Sequence, residues 1–369
     1  SQYQSRRQAI REFNRENAVM KRGIAITPVK FGISFTVKHL NQAGALIHIY
    51  SDGSVQLNHG GTEMGQGLMV KVQQIVASEL GMSLDRIAVM ATRTDKVPNT
   101  SATAASSGTD LNSMAALKAA QTLKTRLVDY LLERHDVRAD QITFENDRII
   151  VSADKVQARA YTWPELADAA YRDRVQLSAT GYYRTPKIHY DRQSAKGHPF
   201  FYYANGAAVS EVQIDTLTGE TTILRSDLLQ DVGRSINPAV DKGQVEGGFV
   251  QGAGWLTHEE LCWDDKGRLT TDGPATYKIP AIGDMPHQFN VDLLKDSPNE
   301  EATVFHSKAV GEPPLMLAMS VFSAIRDAVA SLANYSVFPP LNAPATPEEV
   351  LRVCTLVSQA AKSSLNQQE

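Results

Sequence analysis

Cysteine is nearly absent. The 369-residue chain holds two, Cys262 and Cys354, far apart and in no CxxC spacing. A disulfide framework, a zinc finger and an iron–sulfur ligand set are therefore excluded as organising principles, and both thiols are expected as buried small hydrophobes. No uninterrupted apolar run approaches the ~18 residues of a membrane span. The N-terminal SQYQSRRQAIREFNREN has no apolar segment and no initiator Met. It does not read as a secretory signal, and it fits a processed chain or an excised piece of something longer. An excess of one charge is missing too: 37 Lys+Arg stand against 41 Asp+Glu, a formal charge of −4. Neither nucleic acid nor an acidic membrane is an expected partner. There is no HExxH, no GxSxG, no Gly-Lys-Ser/Thr of a Walker A loop, and no strand-borne GxGxxG. With 42 % apolar and 21 % charged residues the composition is that of an ordinary globular chain, long enough for one large domain or two to three smaller ones.

What is present is a changing hydrophobic period. Residues 4–17 pattern as a helix that packs by a narrow stripe of Ile10 and Phe13. From Gly23 to Asn58 the period becomes two, with ALIHIYSDGSVQLNHG forming two strands around Ser51-Asp52-Gly53. After Gly65-Gln66-Gly67, the spacing of Leu68, Val72, Ile75, Val76 and Leu80 is helical, ended by Gly81. A short strand RIAVMAT, a Ser/Thr/Asn-rich loop and a long helix over 111–133 follow. Residues 141–153 read as a small charged hairpin, TWPELADAAY as a helix capped by Thr162, and 181–205 as an extended surface crossing.

A similar order then recurs. Residues 207–233 form another long hairpin, turned at Thr218-Gly219, and a loop with Gly233, Asn237 and Pro238 enters a helix over 240–256. More strands are expected through Phe305. Gly311-Glu312-Pro313-Pro314 then opens a helix to 332, and Thr346-Pro347-Glu348 starts the last one. The expected class is α+β: two mixed α/β modules, each with long β-hairpins, Gly-rich loops and packed helices. The expected division is an N-terminal helix and linker (1–30), a first module (31–180) and a second module (181–369).

Four segments share one design, a Gly-, Ser- or Thr-rich loop feeding a helix N-terminus: GGTEMGQG (60–67), NTSATAASSGTD (99–110), GRSINPAVDKGQVEGG (233–248) and VGEPP (310–314). Free N–H groups and the positive dipole end of such helices suit an anion, and Gly lets a ligand approach the backbone. Taken singly, each loop is equally an ordinary cap. Together they suit a large polar ligand with a phosphate and many hydrogen-bonding ring atoms.

Glu312 is the most pointed residue. Pro313 is expected to push it out of the helical region, while Pro314 suits a helix start. The helix beyond, LMLAMSVFSAIRDAV, is apolar on nearly every face and is expected to be buried. A carboxylate aimed rigidly from such a mouth, ionised by the dipole and opposed by burial, suits a general base. On local sequence alone a stabilising carboxylate at a helix start accounts for it as well. The nine His show no ligand spacing, Glu259-Glu260 and Asp264-Asp265 read as solvated charge, and Phe201-Tyr202-Tyr203 as packing.

In this order, GGTEMGQG, VPNTSATAAS, GQVEGGFVQGAG and AVGEPPLMLA resemble the molybdenum-cofactor region of the xanthine dehydrogenase/oxidase family. FGISFTVKHLNQAGALIHIYSDGS, SATGYYRTP and GPATYKIPA extend the resemblance over nearly the whole chain, and the 141–158 hairpin looks like the bacterial version. Ile33-Ser34-Phe35-Thr36 and Asn99-Thr100-Ser101-Ala102-Thr103-Ala104-Ala105 resemble the xanthine-oxidising branch rather than the aldehyde oxidases.

The resemblance implies roles. Glu312 would be the catalytic base. The backbone at Ala105 would lie near molybdenum. Phe35 and Thr36 would contact the purine. Met64, Gly65, Gln66, Thr103, Ser106 and Gln244 would contact the molybdopterin. The implied reaction is hydroxylation of hypoxanthine and xanthine to urate in purine catabolism, with water as the oxygen source. Electrons would pass through 2Fe-2S clusters and FAD to NAD in other domains or subunits. The chain then looks like the C-terminal half of the molybdopterin-binding subunit, and its expected partners are the N-terminal half of that subunit and the Fe-S/FAD portion. Alone it is expected to have an open cofactor site and no turnover. An aldehyde or other N-heterocycle as substrate, or a non-catalytic assembly module, are the competing readings. A cytoplasmic location is expected.

Overall fold

The structure is a computed structural model and describes residues 1–97, 100–153 and 156–366; Pro98 and Asn99, in the loop strings quoted above, lie outside them. The N-terminal pattern folds as α1 (Tyr3–Glu16), after which the chain enters a long strand, β1 (Met20–Ile33). The period-two stretch becomes β2 (Gln42–Ile49) and β3 (Val55–His59), paired antiparallel across the Ser51-Asp52-Gly53 turn. α2 (Leu68–Leu80) ends at Gly81 in the left-handed conformation, as its position just past the apolar stripe requires. β4 (Ile87–Val89) runs parallel to β3, and α3 (Gly108–Leu132) crosses the sheet. β5 (Ile142–Glu145), β6 (Arg148–Ala153) and β7 (Val156–Thr162) form a separate antiparallel sheet, and a Thr162–Glu165 capping box starts α4 (Trp163–Arg172). β8 (Ser178–Arg184) returns beside β2, so the first main sheet has the order β4-β3-β2-β8.

The expected surface crossing over 181–205 is thus only partly a crossing. Its first residues belong to β8, its middle forms a small ribbon of β9 (His189–Asp191) and β10 (Lys196–His198), and its end enters β11 (Tyr202–Asp215). β12 (Thr221–Gln230) completes the second hairpin, and Asn237 caps α5 (Pro238–Thr257). Of the strands expected through Phe305, one element is a full strand, β13 (Gln288–Leu293), parallel to β12. α6 (Pro313–Leu317) and α7 (Met319–Ala330) are two helices interrupted at Ala318, where one was expected, and α8 (Pro347–Asn366) closes the chain.

The second main sheet has the order β1-β11-β12-β13, with β1 and β11 paired antiparallel from Met20–Asp215 to Ile33–Tyr202. Residues 20–33 therefore pack with the second module rather than linking to the first. The two sheets match strand for strand. A hairpin (β2-β3, β11-β12) carries a parallel strand on one side (β4, β13) and an antiparallel strand on the other (β8, β1). One glycine contact repeats as well. A Cβ at Gly181 on β8 would sit 1.9 Å from the Ala115 carbonyl and 2.7 Å from the Ala119 nitrogen of α3. A Cβ at Gly23 on β1 would sit 2.0 Å from the Ala324 carbonyl and 2.5 Å from the Ala328 nitrogen of α7. Each sheet thus lets its helix backbone down onto the fourth strand at one side-chain-free position. The recurring order of elements is a structural repeat in which the N-terminal strand supplies the second copy's last strand.

Each repeat has its own core. Ile47, Leu57, Leu68, Val72, Leu123 and Leu127 fill the first, and Val212, Phe249, Leu317, Val321, Ile325 and Val350 the second. Residues 313–333 are long and apolar enough to cross a membrane by composition, yet they lie on the second sheet with Val321, Ala324, Ile325 and Ala328 fully buried. α7 buries one face only, because Met319 and the Phe322 and Arg326 side are turned outward. Cys354 is in the core, where burial pushes its thiol up to about 11, whereas Cys262 is exposed in an irregular loop, contrary to the expectation for it.

Candidate functional site

The four loops meet. A cavity of about 360 Å³ lies between the repeats and takes walls from every one of them: Met64 and Gln66; Thr103, Ala104 and Ser106; Ile236 and Gln244; Val310, Gly311 and Glu312. Gly65 and Ala105 stand between wall residues without lining the cavity themselves. Phe35 and Thr36 lie elsewhere, in the turn after β1, where the Asn41 side chain accepts from the Phe35 N–H and donates to the Phe35 carbonyl.

The helix mouths are not equivalent. At α2 the Glu63 carboxylate accepts from the N–H groups of Gly65, Gly67 and Met69 at 2.9–3.0 Å. Burial pushes that carboxyl up, but these amide bonds outweigh it and hold it below the usual carboxylate range. Glu63 therefore closes the α2 end. Asn237 closes α5 by accepting from the Val240 N–H. α3 begins without a side-chain cap, and its first turn, Gly108, Thr109 and Asp110, faces the cavity. It is the open, positive end among the long helices of the site.

Two predicted contacts serve to join loops. The Thr103 hydroxyl accepts from the Thr62 N–H at 2.8 Å, tying the second loop to the first. Gln66 folds back on its own loop, accepting from Met64 N–H and donating to the Thr62 carbonyl. Ser106 reaches across the repeats. Its hydroxyl donates to Glu312 Oε2 at 2.7 Å and accepts from the Glu312 N–H at 2.8 Å. To deliver it, Ala105 and Ser106 take φ of +54° and +53°, a left-handed pair that costs about 1–2 kcal/mol per residue. Glu312 itself is helical (φ −89°, ψ −35°) and exposed, contrary to the expectations that Pro313 would exclude it from that region and that it would be buried. That region is disfavoured before proline, and the bond from the Glu312 N–H to the Ser106 hydroxyl holds the backbone there, so its aim comes from Ser106. On its other side is a wider cavity of about 920 Å³, with largely apolar walls that include Phe31, Trp255, Ile279, Leu315 and Met316.

The wall of the first cavity also carries buried charge not named from sequence. Lys71 of α2 is paired with Asp241 of α5, whose other oxygen accepts from Ser235. Lys308 is paired with Asp231. Asp110 accepts from the Tyr202 hydroxyl at 2.6 Å, and Tyr202 in turn accepts from the Ala309 N–H at 2.8 Å. Burial pushes the Asp110 carboxyl up to about 7, against the pull of Tyr202 and of the Lys71 charge. Tyr202 thus does more than pack.

The donor set suits an anionic ligand rich in ring heteroatoms. An uncapped helix start and the side chain of Gln244 face a volume of small-molecule size, while the Lys71 and Lys308 cations on its wall are already paired with Asp241 and Asp231. Residues 1–286 match the family described as the molybdopterin cofactor-binding domain. The chain belongs to that family. This molybdopterin-binding domain is 48 % identical over 360 residues to a xanthine dehydrogenase/oxidase of Felis catus and 46 % identical over 360 residues to a xanthine dehydrogenase of Dictyostelium discoideum. In both cases 96 % of this chain and 25 % of the relative are covered, so the domain spans about a quarter of the length of those relatives. The solved structure of a Cu,Mo-CO dehydrogenase superposes with a TM-score of 0.78 at 24 % identity, covering 96 % of this chain and 44 % of that one, which establishes the common fold.

Proposed function

We propose that this chain is the C-terminal half of the molybdopterin-binding portion of a xanthine dehydrogenase, and that the complete cytoplasmic enzyme hydroxylates hypoxanthine and xanthine to urate with water as the oxygen source. The observation that carries the reading is the convergence of four loops from two repeats on one cavity, with the Glu312 carboxylate held at its rim by Ser106. The identity to xanthine dehydrogenases supports the purine as substrate.

When bound, the molybdenum pterin would supply the redox centre that takes two electrons from the substrate carbon. Among the described residues no three His, Cys, Asp or Glu gather to hold a metal ion, so in this reading the pterin holds it and the chain holds the pterin. The uncapped start of α3 would bind the phosphate, and Met64, Gly65, Gln66, Thr103, Ser106 and Gln244 the pterin ring, with the Ala105 backbone nearest the metal. Glu312 would act as general base. Because Oε2 already accepts from Ser106, Oε1 is the atom that takes up the proton. The apolar cavity on the far side of Glu312 would admit a planar ring, with Phe35 and Thr36 as further contacts supplied by the family resemblance. Fe-S clusters, FAD and the NAD site would lie in other domains or subunits, and the chain by itself would not turn over.

Glu312→Gln in the complete enzyme tests the reading. Molybdenum content should stay unchanged while turnover falls by about 10²–10⁴-fold, the range of general acid–base catalysis. Near-normal turnover at full molybdenum content would remove Glu312 from this role.

A further inference from the structure

The loop that carries Glu312 forms one whole wall of the cavity, from Ser307 to Glu312. The Ser307 N–H turns back to the Val304 carbonyl, and beyond it the backbone is fixed by three N–H groups. Lys308 donates to the Val232 carbonyl at 2.7 Å, Ala309 to the Tyr202 hydroxyl and Glu312 to the Ser106 hydroxyl. The middle anchor is a side chain, and that side chain is itself held by Asp110 of the other repeat. Ala309 lies three residues from Glu312, so about 10 Å of extended chain separates the anchor from the carboxylate it would aim.

Resting on the function proposed above, we propose that Tyr202 and Asp110 are positioning residues for Glu312: Asp110 holds the Tyr202 hydroxyl, and Tyr202 holds the Ala309 N–H, so that the catalytic loop is set by α3 as well as by Ser106. Both side chains are more than nine-tenths buried, and neither is given a step in the reaction above, although Asp110 stands in the α3 turn that would take the phosphate. A carboxylate accepting from the phenol makes its oxygen a better acceptor for Ala309. The charged and titratable groups facing Asp110 are Lys71 from α2, Tyr202 from β11 and Tyr183 from β8, with Asp241 behind Lys71. With Asp110 poised near neutrality, the grip on the loop tightens as it ionises.

The test uses the complete, cofactor-loaded enzyme, with kcat, KM and molybdenum content measured from pH 6 to 8 for wild type, Tyr202→Phe, Asp110→Asn and Glu312→Gln. Tyr202→Phe should keep its molybdenum and its KM and lose about tenfold in kcat, the rate equivalent of one hydrogen bond. Asp110→Asn keeps an acceptor for the phenol, so it should fold normally and lose the rise in kcat that wild type shows through pH 7. It also decides the matter if Tyr202→Phe fails to fold. Wild-type kcat per molybdenum in Tyr202→Phe, or an unchanged pH profile in Asp110→Asn, would overturn the proposal. If Glu312→Gln is inactive while these two behave as wild type, this inference alone falls. If Glu312→Gln stays active, the functional reading falls first.

Discussion

Replacing Lys71 by Met should cost the fold about 3–5 kcal/mol. The Lys71 and Asp241 side chains are 6 % and 5 % exposed and pair directly between α2 and α5, one helix from each repeat. Met matches the length of Lys and fills its space, so packing changes little and the loss is electrostatic. Removing one member of a buried pair leaves the other as an unmatched charge, which typically costs about 3–5 kcal/mol. Asp241 keeps the Ser235 hydroxyl, which places the expectation in the lower half of that range. An unfolding entropy of about 2.1 cal/mol/K per residue over 369 residues is about 0.8 kcal/mol/K, so the midpoint should drop by about 4 °C. Urea unfolding and calorimetry of the purified chain measure both quantities. Lys71→Met combined with Asp241→Asn removes both charges and keeps the Ser235 bond, so it should recover most of the loss. A single variant within 1 kcal/mol of wild type, or a double variant no better than the single, would show that the two charges are not matched to each other as described.

Two further expectations concern the same region. Ser106→Ala removes both hydrogen bonds that aim Glu312, and in the complete enzyme kcat per bound molybdenum should fall about tenfold, whereas equal turnover per molybdenum would show that Glu312 needs no such aim. The second is a stability–pH difference. Burial, partly opposed by the Glu63 charge, holds His59 at about 4, so the unfolded chain binds a proton that the folded chain refuses, and stability falls as pH drops from 6.5 to 4. Asp110 does the reverse: raised from 3.8 to about 7, it keeps its proton when folded and sheds it when unfolded, so its contribution falls as pH rises through that window. At 1.36 kcal/mol per pH unit the two are worth about 3 and 4 kcal/mol and largely cancel. Between pH 4 and 7 the unfolding free energy of Asp110→Asn should therefore climb more steeply than that of wild type, and a parallel or shallower curve would contradict the burial of Asp110.

Helix ends and hairpin turns were legible because their chemistry is local. Gly81 past the α2 stripe, Thr162 three residues before Glu165, and Thr218-Gly219 between alternating runs each need nothing beyond a few neighbours. The partner of β1 was not legible. A period of two fixes which face of a strand is buried but not which sheet it joins, and β1 pairs with a strand that begins at Tyr202. The helical backbone of Glu312 was hidden likewise, because the Ser106 hydroxyl that bonds its N–H lies 206 residues away.

The site divides in the same way. Its loops could be named from their glycines and hydroxyls, whereas Thr103 and Ser106 acquire their partners only after the repeats close around the cavity. Lys71 did leave a signal. It lies three residues after Leu68 and four before Ile75, on the apolar stripe of α2, where a charge has no business without a partner. Asp241 stands in the same relation to Val245 and Phe249 on α5. Two opposite charges, each on the buried face of a helix that follows a cofactor-type loop, amount to a prediction that those two faces meet. Their pairing joins α2 to α5, and so brings the first loop against the third. The Asp110–Tyr202 pair carries no such mark, because an Asp in a first helical turn and a Tyr on a strand each look ordinary until the second repeat folds over the first.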